Sequence, residues 1–192
     1  MATAPLPRRM SVEEYLAMDR ASTDVRYEYY DGVIRAMAGG SLKHSRIKVR
    51  CTSLLEEALA GKPCTVFDSD ARVQVSLSRY VYPDVTVTCS LEIIEGDIVP
   101  FPTVVIEVLS PSTSYFDKGR KLDFYRACPS IEDYVLIDSE RAHIDVYRRA
   151  GAFMHYFALG LGDVLDLPSI GVQIPVAEIY QGIEFPAEED DQ

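Results

Sequence analysis

Hydrophobic positions recur along this chain in two rhythms. From Val25 to Tyr30 they alternate, with Val25, Tyr27 and Tyr29 on one side and Arg26, Glu28 and Tyr30 on the other, the period of a strand with two unlike faces. Asp31-Gly32 follows, a dipeptide that closes two-residue hairpins. Val33 to Met37 is the return strand, ended by Gly39-Gly40. From Ser41 to Ala60 the rhythm is helical, with Ile47, Cys51, Leu54 and Ala58 on one stripe. Projected back one turn, the stripe meets His44, and Gly61 closes the helix. A shorter helix is predicted from Ser11 to about Asp19, where Ser11-Val-Glu-Glu14 has the form of a capping box.

Further on, Val66 to Val75 reads as a strand, and Ser76 to Tyr80 as a turn into a second strand that starts at Pro83-Asp84. Leu91 to Pro100 is a connection of mixed character. Val104, Val105, Ile106, Val108 and Leu109 form an apolar run around Glu107, bounded by Pro102 and Pro111, as in a strand buried on both faces. A helix from about Thr113 to Cys128 precedes the strand Asp133 to Asp138. Ala142 to Tyr147 and Phe153 to Leu159 form a meander broken at Gly151. Leu165 to Ile174 is weakly extended, and Val176 to Tyr180 is a short turn or helix. The strand–helix–strand passage through Glu107, Tyr125 and Tyr134 predicts a right-handed parallel crossover. The hairpins add antiparallel strands. The expected class is α/β, a mixed central sheet flanked by helices, in one domain over residues 1–192 without linker or repeat.

Composition agrees with a globular domain: 192 residues, 47% hydrophobic and 26% charged. No apolar run reaches the roughly 18 residues of a membrane span. Met1 to Arg9 carries two arginines with no apolar stretch behind them, so neither a secretory leader nor a membrane partner is expected. Cys51, Cys64, Cys89 and Cys128 form no Cys-x-x-Cys pair and read as buried free thiols of a cytoplasmic protein. The net charge of −11 argues against a protein that coats nucleic acid generically. Five acids lie in the tail from Glu184 to Gln192, expected to fray; without them 19 basic residues face 25 acidic ones, a balance of −6. Lys43, Arg46, Lys48 and Arg50 form one basic cluster, and Lys118, Arg120, Lys121 and Arg126 another.

Glu107 is the chemical anomaly, because an unpaired buried carboxylate costs several kcal/mol and must neutralise or find a cation. Asp84, on the preceding strand, could share that cation, and Lys121 follows on the helix. Each has a structural alternative. Glu107 could pair with a buried arginine, Glu28 could pair across its sheet, and Asp117 with Lys121 could be a helix-surface ion pair. A Gly-x-Ser-x-Gly elbow, a Walker-type glycine loop, a His-Glu-x-x-His motif and a dinucleotide fingerprint are all absent from the sequence. His44, His143 and His155 are too scattered for a zinc site.

Tyr82-Pro83-Asp84, Val105-Ile106-Glu107-Val108-Leu109-Ser110-Pro111-Ser112-Thr113, Asp117, Lys121, Tyr125 and Tyr134-Val-Leu-Ile-Asp138 together resemble the Uma-type restriction endonuclease-like family of the PD-(D/E)xK nuclease superfamily. Tyr27-Glu28, Asp31-Gly32 and His44 are similar to its N-terminal pattern. The resemblance covers about Ser11 to Tyr180 and implies a restriction endonuclease-like fold. It assigns Asp84 and Glu107 as metal-binding acids and Glu28 as a further acid nearby. The superfamily's lysine two residues after the glutamate is Leu109 here; Lys121 matches a position on the next helix, with Lys118 in reserve. The implied activity is Mg²⁺-dependent phosphodiester hydrolysis in DNA, with Mn²⁺ as a substitute metal. Lys43, His44, Arg46 and Lys118 are the expected nucleic-acid contacts, and a homodimer is expected because cutting both strands takes two sites. Acidic charge and the displaced lysine fit instead an inactive nuclease-fold module that binds nucleic acid or protein; intact Asp84 and Glu107 favour the enzyme.

Overall fold

The computed structural model describes residues 9–37, 39–90, 96–111 and 114–185. The chain opens with α1 (Val12–Ala21), capped by Ser11 and Glu14 as a capping box. β1 (Tyr27–Tyr30) and β2 (Val33–Ala36) pair antiparallel, with Tyr30 opposite Val33 and Glu28 opposite Arg35. Asp31 and Gly32 carry φ of 50° and 97°, the two positive values that a tight hairpin of this hand requires.

Next come α2 (Leu42–Ala58), β3 (Thr65–Asp68), β4 (Arg72–Ser76), β5 (Arg79–Val81), β6 (Val85–Thr88), β7 (Ile98–Val99) and β8 (Val104–Leu109). The expected single strand over Val66–Val75 is two strands in two sheets. Asp68 makes the break: its carbonyl accepts the Ala71 N–H and its side chain the Asp70 N–H, which turns the chain. The connection expected over Leu91–Pro100 lies outside the described residues as far as Glu95.

After β8, α3 (Ser114–Phe116) leads into a π-helical turn (Asp117–Lys121) and α4 (Leu122–Ala127). One helix was expected here; the wider turn interrupts it, and Thr113 lies outside the described residues. β9 (Asp133–Asp138), β10 (Ile144–Ala150) and β11 (Phe153–Leu159) follow, then the hairpin β12 (Val164–Leu167) and β13 (Val172–Pro175), and α5 (Val176–Ile179). Of the acidic tail, residues 186–192 lie outside the described residues.

The larger sheet has the order β11-β10-β9-β8-β6-β3, with β8 and β9 parallel and the other pairs antiparallel. A second sheet runs β2-β1-β5-β4-β7. All six β8 residues are buried. Val104, Ile106 and Val108 face the core made with Ile47, Cys51 and Leu55 of α2. Val105 and Leu109 face a second core with Phe124 and Tyr125 of α4 and Val73 and Val81 of the smaller sheet. Strand alternation therefore aims Glu107 at the α4 side. On α2, Leu55 is buried where the helical stripe predicted Leu54, which is half-buried with Ala58. On α4, Phe124 and Tyr125 are buried, while Leu122 is half-buried.

Cys64 and Cys89 form a disulfide, which corrects the reading of four free thiols. Thr65 pairs with Thr88 in the β3–β6 ladder, so the two cysteines fall opposite one another at its end. Cys51 and Cys128 are buried free thiols. Among the described residues, no helix is long and apolar enough to cross a membrane.

Candidate active site

The β6–β8 ladder sets the site. Val85 lies opposite Ile106, so one step further the pairing brings Asp84 opposite Glu107. The Val108 N–H donates to Asp84 Oδ2 at 2.8 Å. His44, in the first turn of α2, brings Nε2 to 3.1 Å from the same oxygen. Gly40 makes room for this ring: a Cβ there would sit 2.5 Å from His44 Nδ1.

Glu107 is 5% exposed. Its Oε1 accepts from Lys121 Nζ and from the Tyr125 hydroxyl, both at 2.8 Å. Lys121 and Tyr125 are four residues apart, so one face of the helix delivers both. Lys121 Nζ also lies 2.9 Å from Glu28 Oε1 and 3.6 Å from Asp117 Oδ1. Glu28 is fixed in turn by the Tyr30 hydroxyl at 2.6 Å and the Tyr82 N–H at 3.4 Å. Apart from Tyr30 and Tyr125, these groups line a cavity of about 90 Å³ that also takes in Arg35 and Met37.

Burial raises the Glu107 pKa to about 8; Lys121 opposes the rise, while Asp117, Asp84 and Glu28 add to it. Burial alone would lower the Lys121 pKa, but Glu107 and Glu28 outweigh it and hold the ammonium charged, well above its ordinary range. Burial and then Glu107 keep the Tyr125 phenol protonated, so it remains a donor. Four carboxylates thus face one ammonium and one guanidinium, an excess of two negative charges when all the acids are ionised.

The donor set fits a hard divalent cation. Asp84 Oδ1 and Glu107 Oε2 have no hydrogen bond or ion pair among the described residues, so each keeps an oxygen for a ligand. Among the described residues no group of three or more His, Cys, Asp or Glu side chains is placed to hold a metal ion. Mg²⁺ does not need one, because it commonly takes one or two carboxylates and several waters. Asp84 and Glu107 are the residues that would hold it.

Of the residues singled out from the sequence, the fold brings Glu28, His44, Asp84, Glu107 and Lys121 together around this cavity. Lys43, Arg46 and Lys118 do not line it. Lys43 Nζ lies 5.6 Å from the Phe185 ring, and the Arg46 guanidinium lies beside Gly182. Lys118 Nζ is 3.1 Å from Asp145 Oδ2 on β10. Asp117, for which a helix-surface pair with Lys121 was the structural alternative, is only 4% exposed and lines the cavity; the π turn carries both ends of that pair inward. Arg35 was missed altogether, although counting back from the Asp31-Gly32 turn places it opposite Glu28.

The family model described as "Uma2: Putative restriction endonuclease" matches residues 12–177. An uncharacterized protein of Synechocystis sp., slr1290, is 38% identical over 189 residues, 95% of this chain and 97% of its own length. Another, sll1609, is 32% identical over 146 residues, covering 74% of this chain and 82% of its own. The crystal structure of "a putative nuclease belonging to DUF820" from Anabaena variabilis has the same fold, with a TM-score of 0.75 over 89% of this chain and 97% of that one at 20% identity. The family match runs from the first residue of α1 into α5 and takes in every strand of the fold, and the chain belongs to the Uma2 family.

Proposed function

We propose that the chain is a divalent-metal-dependent endonuclease that hydrolyses phosphodiester bonds in DNA. The observation that carries this reading is a pair of carboxylate oxygens without partners among the described residues, Asp84 Oδ1 and Glu107 Oε2, in a cavity with a buried charged lysine. The family description and the nuclease named for the structural neighbour point the same way.

Bound Mg²⁺ supplies charge neutralisation at the phosphate and a water acidified toward neutral pH. The chain's own residues do the positioning. Asp84 is held by the Val108 amide and His44, and Glu107 by Lys121 and Tyr125, so both carboxylates are fixed before a ligand arrives. The Lys121 ammonium stabilises negative charge developing on the phosphate, an effect strengthened by its own burial. A homodimer would offer one such cavity to each strand of a duplex.

The test is cleavage of plasmid and single-stranded DNA by the purified chain, with Mg²⁺, with Mn²⁺ and with chelator. Cutting that requires metal and disappears in Glu107→Gln is expected. Nucleic-acid binding without cutting under any metal would replace the enzyme with an inactive binding module.

A further inference from the structure

We propose that Arg35 is a phosphate clamp that holds the nucleic-acid backbone at the mouth of the carboxylate cavity. The proposal rests on the nuclease reading and adds to it the group that attracts the substrate.

An acid-rich cavity repels a phosphodiester, so a substrate needs cationic contacts at its entrance. Arg35 lines the cavity and pairs with no carboxylate among the described residues. Its natural partner is Glu28, directly opposite on β1, but Glu28 is already taken by Lys121, Tyr30 and Tyr82. Among the described residues Arg35 has neither a hydrogen bond nor an ion pair; its guanidinium lies 4.2 Å from the centre of the Phe116 ring. A ring beneath the guanidinium plane fixes its orientation and leaves the edge N–H groups free. That planar fork matches two phosphate oxygens.

The track continues away from the cavity. Phe116 and Phe124 both pack on Tyr30, with ring centres 5.4 and 5.1 Å from it. Arg79 lies 4.3 Å from the Phe124 ring and Arg120 6.0 Å. Arg79 is neutralised by Asp31 at 2.8 Å. Arg120 is exposed and has no hydrogen bond or ion pair among the described residues. Arg35 at Phe116 and Arg120 near Phe124 thus flank one aromatic cluster built on Tyr30, two guanidiniums without a hydrogen bond or ion pair among the described residues that can each meet a phosphate.

The experiment measures binding rather than cutting: fluorescence anisotropy of short labelled duplex and single-stranded DNA with the full chain in chelator, across a salt series. Arg35→Ala should weaken binding about tenfold, as expected for one charged hydrogen-bonded contact, and reduce the log–log salt slope by roughly 0.7–0.9. Arg120→Ala should reduce the slope likewise, with less loss of affinity, while Arg126→Ala, paired with Asp123 on the surface, should match the parent. Melting curves check folding, and Arg35→Gln keeps the side-chain stem if the alanine variant proves unstable. Parent affinity and slope in a folded Arg35 variant, with the parent binding and cutting DNA, would overturn the clamp alone. A parent chain that binds no nucleic acid would overturn the nuclease reading and the clamp together.

Discussion

Tyr82 stands between two ionic clusters with different charge balance. Its hydroxyl donates to Asp19, and its backbone N–H donates to Glu28. On the Asp19 side, Asp19 and Asp97 meet Arg72 and Arg20, two acids against two guanidiniums. Both Asp19 oxygens are satisfied, Oδ1 by the Tyr27 N–H and Oδ2 by Arg72 and Tyr82. Arg20, with help from Arg72, holds the Asp97 pKa down at about 2. On the Glu28 side, four acids stand around Lys121, with Arg35 nearby but paired to none of them, the Glu107 pKa is raised, and Asp84 Oδ1 and Glu107 Oε2 have no partner among the described residues. Buried charge does not by itself mark function. The difference lies in stoichiometry: the closed cluster balances its charge from within the chain, whereas the open one keeps an excess of acids.

The contrast can be broken most forcefully through stability. Asp19→Asn leaves Arg72 buried without its inner partner and should cost about 3–5 kcal/mol in urea unfolding. Glu107→Gln, in chelator, should leave stability unchanged or raise it, because burial first and the neighbouring acids second disfavour the ionised carboxylate that the amide replaces. A large loss in Glu107→Gln would make the open cluster a second structural network.

Catalysis is the next discriminator. Lys121→Ala should lower single-turnover cleavage about a hundred- to thousandfold, by analogy with loss of a positioned oxyanion donor, with metal binding retained. A rate equal to that of the parent would remove Lys121 from the proposed chemistry.

A smaller effect should appear with pH. An acid whose pKa is raised by folding keeps a proton that the unfolded chain has already lost. Native Glu107 holds its proton to about pH 8, against an ordinary value of 4.5. Its contribution therefore makes metal-free stability fall as pH rises through that window, and Glu107→Gln should flatten the slope. An identical slope in the two proteins would contradict the assignment. Smallest of all, Gly40→Ala should push the His44 ring from Asp84 and slow cleavage roughly fivefold, the equivalent of one hydrogen bond worth about 1 kcal/mol.

Much of the open cluster was legible because its parts are local or periodic. The Asp31-Gly32 turn, the apolar run around Glu107 and the spacing of Lys121 and Tyr125 are short-range signals. The closed cluster was not legible, since Asp19 and Arg72 lie 53 residues apart and neither breaks a hydrophobic pattern. The Cys64–Cys89 link depends on which strands pair, and the strand break at Asp68 on side-chain turn chemistry inside an apolar stretch. Whether Asp117 faces solvent or the site could not be read from its spacing to Lys121, which is the same in a surface pair and in an inward-facing π turn.

Calorimetric titration of Mg²⁺ into the parent, Glu107→Gln and Asp19→Asn tests most directly the claim that the open cluster is built to take a cation. The parent should bind, Glu107→Gln should bind distinctly more weakly, and folded Asp19→Asn should bind as the parent does. Parent-like affinity in Glu107→Gln would contradict the account, because the excess acids would then serve the fold and the metal would belong elsewhere.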